Sequence, residues 1–483
     1  MKTNDKTIKI IIVGAGKAGA LLAEDINNND DISFSVIGFV DDDTNKKNKI
    51  VNGVRVLGDT DKVSDIIQTT GAEEVWFAIP SARASSIRKI VSKNLDKRII
   101  YRILPRSYEV LEQPFEEDYL KYIRKVSAVD LVGGEINKKD QDDIKNALNG
   151  LTVMITGAAG SIGSELSKQI ALYGAKKIVF YDWWENGMFE LRNQIVTTYP
   201  DGNFEFIIGD IKDVKRLNRV IELNKPNTIF HAAAYKHVPL MEDNPSEAVK
   251  NNMVGTKIVS EAAIRHGVKK FVLVSSDKAV NPTNVMGATK RGAEKIIHIL
   301  SESQEITQFC AVRFGNVANS NGSVMPIFDR QISKGGPLTV TDKEVTRYFM
   351  TIPEAVHLIL RAWIMGKNND LFVLDMGEPI KIYELAKWVI AINGYIPSKD
   401  IKINVIGLRP GEKLYEELLV DEESTVRTKV DNIFKTKNYL NFDRIKFLYN
   451  LESLVDSLEN KDLEKTDIKK HLSLMISTYK QSK

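Results

Sequence analysis

Two apolar runs in this chain each end in a glycine-rich turn followed by a helical pattern, and no other feature restricts the fold as strongly. The first reads Ile10-Ile11-Ile12-Val13-Gly14-Ala15-Gly16-Lys17-Ala18-Gly19, and the second Met154-Ile155-Thr156-Gly157-Ala158-Ala159-Gly160-Ser161-Ile162-Gly163. A strand that passes through three glycines into a helix is the crossover of a parallel sheet. One glycine permits the tight turn, one lets a diphosphate approach the backbone, and one lets the helix pack closely. The glycine spacings differ, so the two turns share an architecture and not a sequence repeat.

Apolar runs alternate with helical stretches around both turns. Ile8–Val13, Ser35–Val40, Val75–Ile79 and Arg98–Leu104 read as the strands of one sheet. Leu151–Ile155, Lys177–Tyr181, Phe204–Ile208, Thr228–His231, Phe271–Ser275 and Phe309–Phe314 read as those of a second, larger one. The expected fold class is therefore α/β, with two Rossmann-like, doubly wound parallel-sheet domains, the second carrying a smaller substrate-binding cap. The expected division is a nucleotide-binding domain over 1–104, a connector over 105–149, and a catalytic domain over 150–434 with its cap mainly in 316–434. A helical tail over 435–483 suggests no chemistry. A chain of 483 residues accommodates these units.

Several function classes are disfavoured. The 67 basic and 64 acidic residues nearly cancel, so the basic footprint of a nucleic-acid binder is missing. Cys310 is the single cysteine, which rules out an intramolecular disulfide and suits a reducing compartment. The six histidines lack metal-ligand spacing, and no metal is expected. No apolar stretch is long enough to span a bilayer, and the first residues lack a signal-peptide pattern, so the cytoplasm is the expected compartment. Homo-oligomerisation is left open.

The first turn offers Gly14, Gly16 and Gly19, with Asp41 ending the next strand where a ribose diol would sit. No acid, base or nucleophile cluster accompanies it. A nucleotide bound there is expected to regulate or stabilise the chain, and the alternative is a tight turn with solvated aspartates. The second turn is richer. Gly157, Ala158, Gly160, Ser161, Ile162 and Gly163 form a candidate pyrophosphate cradle at a helix amino end. Asp182 closes the next strand, where its carboxylate suits ribose hydroxyls and repels a 2′-phosphate, so NAD is expected over NADP. Asp210 and Ile211 follow the third strand, and Ala232 and Ala233 the fourth, where small residues let a backbone lie along the cofactor.

Residues Gly157 to Gly163, Ser275-Ser276-Asp277-Lys278-Ala279-Val280-Asn281-Pro282, Met286-Gly287-Ala288-Thr289-Lys290, Arg313-Phe314-Gly315-Asn316 and Leu408-Arg409-Pro410-Gly411-Glu412-Lys413 together carry a resemblance. Over roughly residues 1–435 the chain resembles the polysaccharide-biosynthesis family of UDP-N-acetylhexosamine 4,6-dehydratases, within the extended short-chain dehydrogenases. Many members of that family carry an amino-terminal membrane segment. The resemblance implies oxidation at sugar C4 by NAD, loss of water across C5 and C6, and return of the hydride to C6. It implies a UDP-sugar partner, UDP-N-acetylglucosamine first.

Asp277 and Lys278 follow an apolar strand at the edge of the ligand crevice. Asp277 is the candidate acid for the C6 oxygen, which calls for a raised pKa, and Lys278 the candidate base at C5, which calls for a lowered one. The short-chain dehydrogenase pattern places Tyr-x-x-x-Lys on the following helix. Lys290 matches the lysine, but Met286 stands at the tyrosine position, as in some members of the resembled family. A thioether exchanges no proton, so the base for the C4 hydroxyl stays open between Lys278, a water held by Asp277, and Ser276. Asn251 matches an asparagine that holds the active-site helix, with Asn252 as the alternative. At the substrate end the resemblance points to Lys236, Asn316, Arg347, Arg409 and Glu412, the arginines as diphosphate ligands. A nucleotide-sugar epimerase and an inactive NAD-binding scaffold are the competing readings.

Overall fold

The structure is a computed structural model that describes residues 7–29, 32–79, 83–105, 119–133, 139–418, 424–437, 442–460 and 463–480. Parts of the expected connector, 106–118 and 134–138, lie outside the described residues. The chain divides into two compact units. One comprises Met1–Ile136, Ser323–Glu344 and Ile380–Ile406, and the other Asn137–Gly322, Val345–Pro379 and Gly407–Lys483.

The first unit is built on a seven-stranded sheet in the order Ile50–Val51, Val54–Gly58, Phe34–Val40, Ile8–Val13, Glu74–Phe77, Ile100–Ile103 and Arg124–Lys125. The inner strands pair in parallel and the two edge strands antiparallel. Ile10, Ile11 and Ile12 are fully buried because helices cover both faces of a parallel sheet. Two segments expected in the cap of the second domain group with this unit. Helix Ile382–Ile392 lies against helix Ala84–Ser92 and the short turn Ala128–Leu131. Arg88 donates to the Leu131 carbonyl at 2.7 Å and lies over the Trp388 ring, and Arg98 pairs with Asp400 at 2.8 Å.

The second unit carries a nine-stranded sheet ordered Phe204–Ile208, Lys177–Asp182, Thr152–Thr156, Thr228–His231, Lys270–Val274, Gln308–Arg313, Asp370–Leu374, Ile433–Thr436 and Thr425–Arg427. The first seven strands run parallel, Ile433–Thr436 pairs antiparallel to Asp370–Leu374, and Thr425–Arg427 pairs antiparallel to Ile433–Thr436. The strand order reverses between Thr152–Thr156 and Thr228–His231, and a doubly wound sheet opens its ligand crevice at the carboxyl ends beside such a point. Helix Lys139–Leu148, expected in the connector, buries Ile144 and Leu148 in the core of this unit.

The charged tail also joins this unit. Helices Arg444–Asn460 and Lys465–Met475 bury Phe447, Leu451, Leu454, Ile468, Leu472 and Met475 in one cluster with Val285, Met286, Ala288 and Ile296 of helix Val285–Glu302. Lys295 on that helix donates to the Met475 carbonyl at 2.9 Å, and the Lys480 amide to the Pro282 carbonyl at 3.0 Å. Among the described residues no helix is long and apolar enough to cross a membrane.

Candidate functional site

At the second turn Gly157 holds φ at +72°, and a Cβ on it would come within 2.5 Å of the Ala233 amide. The backbone that follows strand Thr228–His231 therefore needs a glycine opposite Ala232 and Ala233. A Cβ on Gly163 would meet the Gly157 carbonyl at 1.9 Å, so the helix closes onto the turn only with glycine there. In front of Gly160 the space is open but for the Gly157 carbonyl at 3.3 Å, and no side chain caps helix Ser161–Leu172. Its first N–H groups are left for an anion. Ala158 is buried, Ile162 packs against the core, and the Ser161 hydroxyl accepts from the Asn321 amide at 3.3 Å.

Asp182 braces this turn. One carboxylate oxygen accepts from the Ala159 amide and the other from the Trp184 amide, both at 2.9 Å. The carboxylate keeps lone-pair capacity for a ribose hydroxyl. Burial pushes the Asp182 carboxyl up, against the pull of these amides, and among the described residues no cation pairs with it. The Asp210 carbonyl accepts from the Tyr181 hydroxyl at 2.8 Å, and its carboxylate from the Lys212 amide at 2.8 Å. Ile211 is buried against Gly255, where a Cβ would come within 2.5 Å of it.

Asp41 braces the first turn in the same way, accepting from the Ala15 amide at 2.7 Å and the Asp43 amide at 2.9 Å. Gly14 holds φ at +102°, a Cβ on Gly19 would meet the Gly14 carbonyl at 1.9 Å, and the space before Gly16 is open. The difference is Lys46, 2.9 Å from Asp41. Burial works against the Asp41 charge, but the Asp43 and Ala15 amides and Lys46 outweigh it and hold the carboxyl below its ordinary value.

The second constellation lies where strand Lys270–Val274 ends. Ser276 caps the short turn Asp277–Ala279, and its hydroxyl donates to Asp277 Oδ1 at 2.8 Å. Lys278 Nζ donates to the same oxygen at 3.0 Å and to Asn316 Oδ1 at 3.1 Å. Asp277 is 1% exposed, and its Oδ2 has no partner among the described residues. An orphaned buried oxygen costs about 1–3 kcal/mol, which marks the position as held for something other than stability. The expectation of a lowered Lys278 is reversed here. Burial alone lowers it, but the Asp277 and Glu416 carboxylates outweigh burial and the Arg347 charge, and raise it.

Helix Val285–Glu302 packs directly behind this turn, since a Cβ on Gly287 would meet the Lys278 carbonyl at 2.2 Å. Lys290 donates to the Val274 carbonyl at 2.6 Å, and burial pulls it down to about 8 despite the nearby Glu294. Glu294 is fully buried and gathers Arg313 (2.8 and 2.7 Å), Arg291 (3.0 Å) and Ser275 (2.6 Å), tying two strand ends to one helix. Met286 is 2% exposed and packs with the carboxyl-terminal helices. The asparagine that holds this helix is Asn252, not Asn251. It accepts from the Tyr235 amide at 2.8 Å and donates to the Tyr235 carbonyl at 3.0 Å and to Thr289 at 3.1 Å. Asn251 donates to Asn252 at 3.1 Å.

The substrate-end residues are only partly gathered. Arg347 donates to Glu412 at 3.0 Å and to the Thr346 and Leu414 carbonyls at 2.7 and 3.2 Å, with Glu416 at 3.7 Å from its Nε. Its fork, expected to face a diphosphate, is engaged by the chain itself. Arg409 and Lys236 are exposed, and Arg409 joins the group through its backbone, its amide donating to the Glu412 carboxylate at 3.2 Å and its carbonyl accepting from the Glu412 amide at 3.0 Å. Glu416 went unnoticed in the sequence, its one available signal being its place just beyond Arg409–Lys413. Among the described residues no cluster could hold a metal ion.

Residues 2–105 match a CoA-binding domain family, and residues 153–438 match a family described as polysaccharide biosynthesis protein. The probable polysaccharide biosynthesis protein EpsC of Bacillus subtilis is 42% identical over 416 residues, covering 86% of this chain and 69% of its own. A UDP-N-acetylglucosamine 4,6-dehydratase (inverting) of Campylobacter jejuni is 32% identical over 292 residues, 59% of this chain and 82% of that one. A UDP-glucose 4-epimerase of Rickettsia canadensis is 38% identical over 278 residues, 56% and 78%. The chain belongs to the polysaccharide biosynthesis protein family, on a nucleotide fold of the extended short-chain dehydrogenase type.

Proposed function

We propose that the chain is an NAD-dependent nucleotide-sugar 4,6-dehydratase that converts a UDP-N-acetylhexosamine, UDP-N-acetylglucosamine first, to the 4-keto-6-deoxy sugar. The observation that carries this reading is the pair of buried Asp277 and half-buried Lys278, with its unpartnered carboxylate oxygen, at the crevice end of a central strand. Gly157, Gly160 and Gly163 leave room for a pyrophosphate, and Asp182 leaves lone pairs for a ribose. When bound, NAD supplies a hydride acceptor for C4 and a donor for C6.

The proton movements close on the two residues alone. Asp277 acts from the carboxylate, and Lys278 enters as the amine only after losing to solvent the proton that Asp277 and Glu416 hold on it. Asp277 takes the C4 hydroxyl proton, directly or through the Ser276 hydroxyl that touches it. The new C4 ketone acidifies C5, Lys278 takes the C5 proton, and Asp277 delivers its own proton to the departing C6 oxygen as water. Lys278 then returns its proton to C5 as hydride reaches C6, and both groups end as they began. No tyrosine is needed, which accommodates Met286.

The epimerase reading has the more identical of the two relatives on its side. An epimerase, however, has no elimination for Asp277 and Lys278 to perform. Incubating the purified chain and NAD with UDP-N-acetylglucosamine and analysing the sugar separates the readings. A 4-keto-6-deoxy product is expected; a C4 epimer, or unchanged substrate with bound NAD, would overturn the dehydratase.

A further inference from the structure

We propose that Glu416 is a positioning residue of the proton-transfer centre, a fixed negative charge shared by Lys278 and Arg347 that governs the proton carried by Lys278. The inference deepens the dehydratase reading and rests on it for its mechanistic meaning.

Glu416 is far from the catalytic segment in sequence, and the chain takes trouble to bring it there. Thr283 Oγ and Asn284 Nδ2 both donate to the Gly411 carbonyl, at 3.0 and 3.2 Å, and Lys413 Nζ donates to the Val280 carbonyl at 3.2 Å. Gly411 holds φ at +78°, and a Cβ on it would come within 2.8 Å of Asn284 Cβ. A glycine is needed for the loop to lie this close. The result puts Glu416 Oε1 3.6 Å from Lys278 Nζ and 3.7 Å from Arg347 Nε, with its side chain 6% exposed.

These distances distinguish Glu416 from its neighbours. Arg347 already has Glu412 at 3.0 Å, and Lys278 already has Asp277 and Asn316 within hydrogen-bond range. Glu416 makes no direct hydrogen bond to either cation, so its effect is that of a charge at close range. In a water-poor site such a charge is weakly screened. It acts in opposite senses at the two ends of the C5 step. Before it, Glu416 resists the loss of the Lys278 proton, working with Asp277 and against Arg347. After it, with the C5 proton on Lys278 and the Asp277 proton gone with water, Glu416 stabilises the ammonium that has formed. A residue in this place favours proton abstraction from carbon at the expense of a free amine at neutral pH.

Glu416→Gln keeps the shape and removes the charge, and Glu416→Asp draws the charge back by one methylene. The direct readout is the rate at which Lys278 is acetylated by acetic anhydride, followed by mass spectrometry across pH in the 483-residue chain. At a fixed pH near 8, Lys278 in Glu416→Gln is expected to label roughly tenfold faster than in the wild type, with Glu416→Asp between them. For the dehydratase, the limb of kcat/KM that rises with pH moves to lower pH in Glu416→Gln, while kcat at high pH falls. Equal labelling of Lys278 in all three proteins overturns the proposal. If Glu416→Gln does not fold, the Glu416→Asp comparison decides: faster labelling than wild type supports the proposal, and identical labelling overturns it. A wild type that releases no water from UDP-N-acetylglucosamine removes the dehydratase reading but leaves the labelling comparison standing.

Discussion

Asp277 and Lys278 are adjacent in sequence, yet their chemistry comes from what surrounds each. Asp277 Oδ1 is saturated by Ser276 and Lys278, and Oδ2 is left bare in a buried place. Replacing the carboxyl by an amide preserves the volume and removes the exchangeable proton. Asp277→Asn is therefore expected to slow water loss by on the order of 10² to 10⁴ while NAD retention is unchanged, as measured by product analysis and by cofactor content. A second residue-scale outcome concerns Lys290, whose buried ammonium is pulled down to about 8. The folded chain releases this proton more readily than the unfolded one, so stability rises with pH from about 8 toward the ordinary lysine value, and the full penalty is present below 8. Lys290→Met is expected to flatten that rise, which melting temperatures at pH 7 and pH 10 would read. Unchanged pH dependence would count against the buried ammonium.

At the scale of elements, helix Val285–Glu302 does two jobs from two faces. Gly287 and Lys290 face the strand end that leads to Asp277, while Val285, Met286 and Ile296 face the carboxyl-terminal helices. Met286 at the tyrosine position thus joins an apolar cluster instead of the proton path. Leu454, fully buried in that cluster, ties the tail to the helix. Leu454→Ala is expected to cost about 2–5 kcal/mol by denaturant unfolding, with activity of the remaining folded protein close to wild type. An unaffected stability would show that the hairpin is dispensable. The tail was legible only as charged and helical in period, because periodicity reports that a helix has an apolar stripe and not which surface the stripe meets.

At the scale of the whole molecule, both sheets were legible because strand-to-helix alternation and glycine turns are local signals. Nearly every expected strand lies within a few residues of its place, from Ile8–Val13 to Gln308–Arg313. The partition of the chain was not legible in the same way. Segments Ser323–Glu344 and Ile380–Ile406, expected in one cap with Arg347 and Arg409, group with the amino-terminal sheet instead. Chain order says which segments are consecutive, but a unit is defined by which apolar faces cover each other, and helix Ile382–Ile392 finds its cover on Ala84–Ser92. The two arginines stand within a few residues of the points where the chain returns to the second unit. Arg313 and Glu294 show the same division at smaller scale: each looks like an ordinary charge in sequence, and only burial turns them into a clamp. By itself the sequence determined two parallel α/β sheets with their glycine turns, a carboxylate at the end of the strand after each turn, and the adjacent Asp277–Lys278 pair, since all of these are written in short spacings. Only the tertiary structure decided that Asn252 holds the helix, that Arg347 is engaged by its own chain, and that Glu416 stands beside Lys278. Those depend on side chains brought together across long stretches of chain, and a charge takes its meaning from the distance and burial of its neighbours.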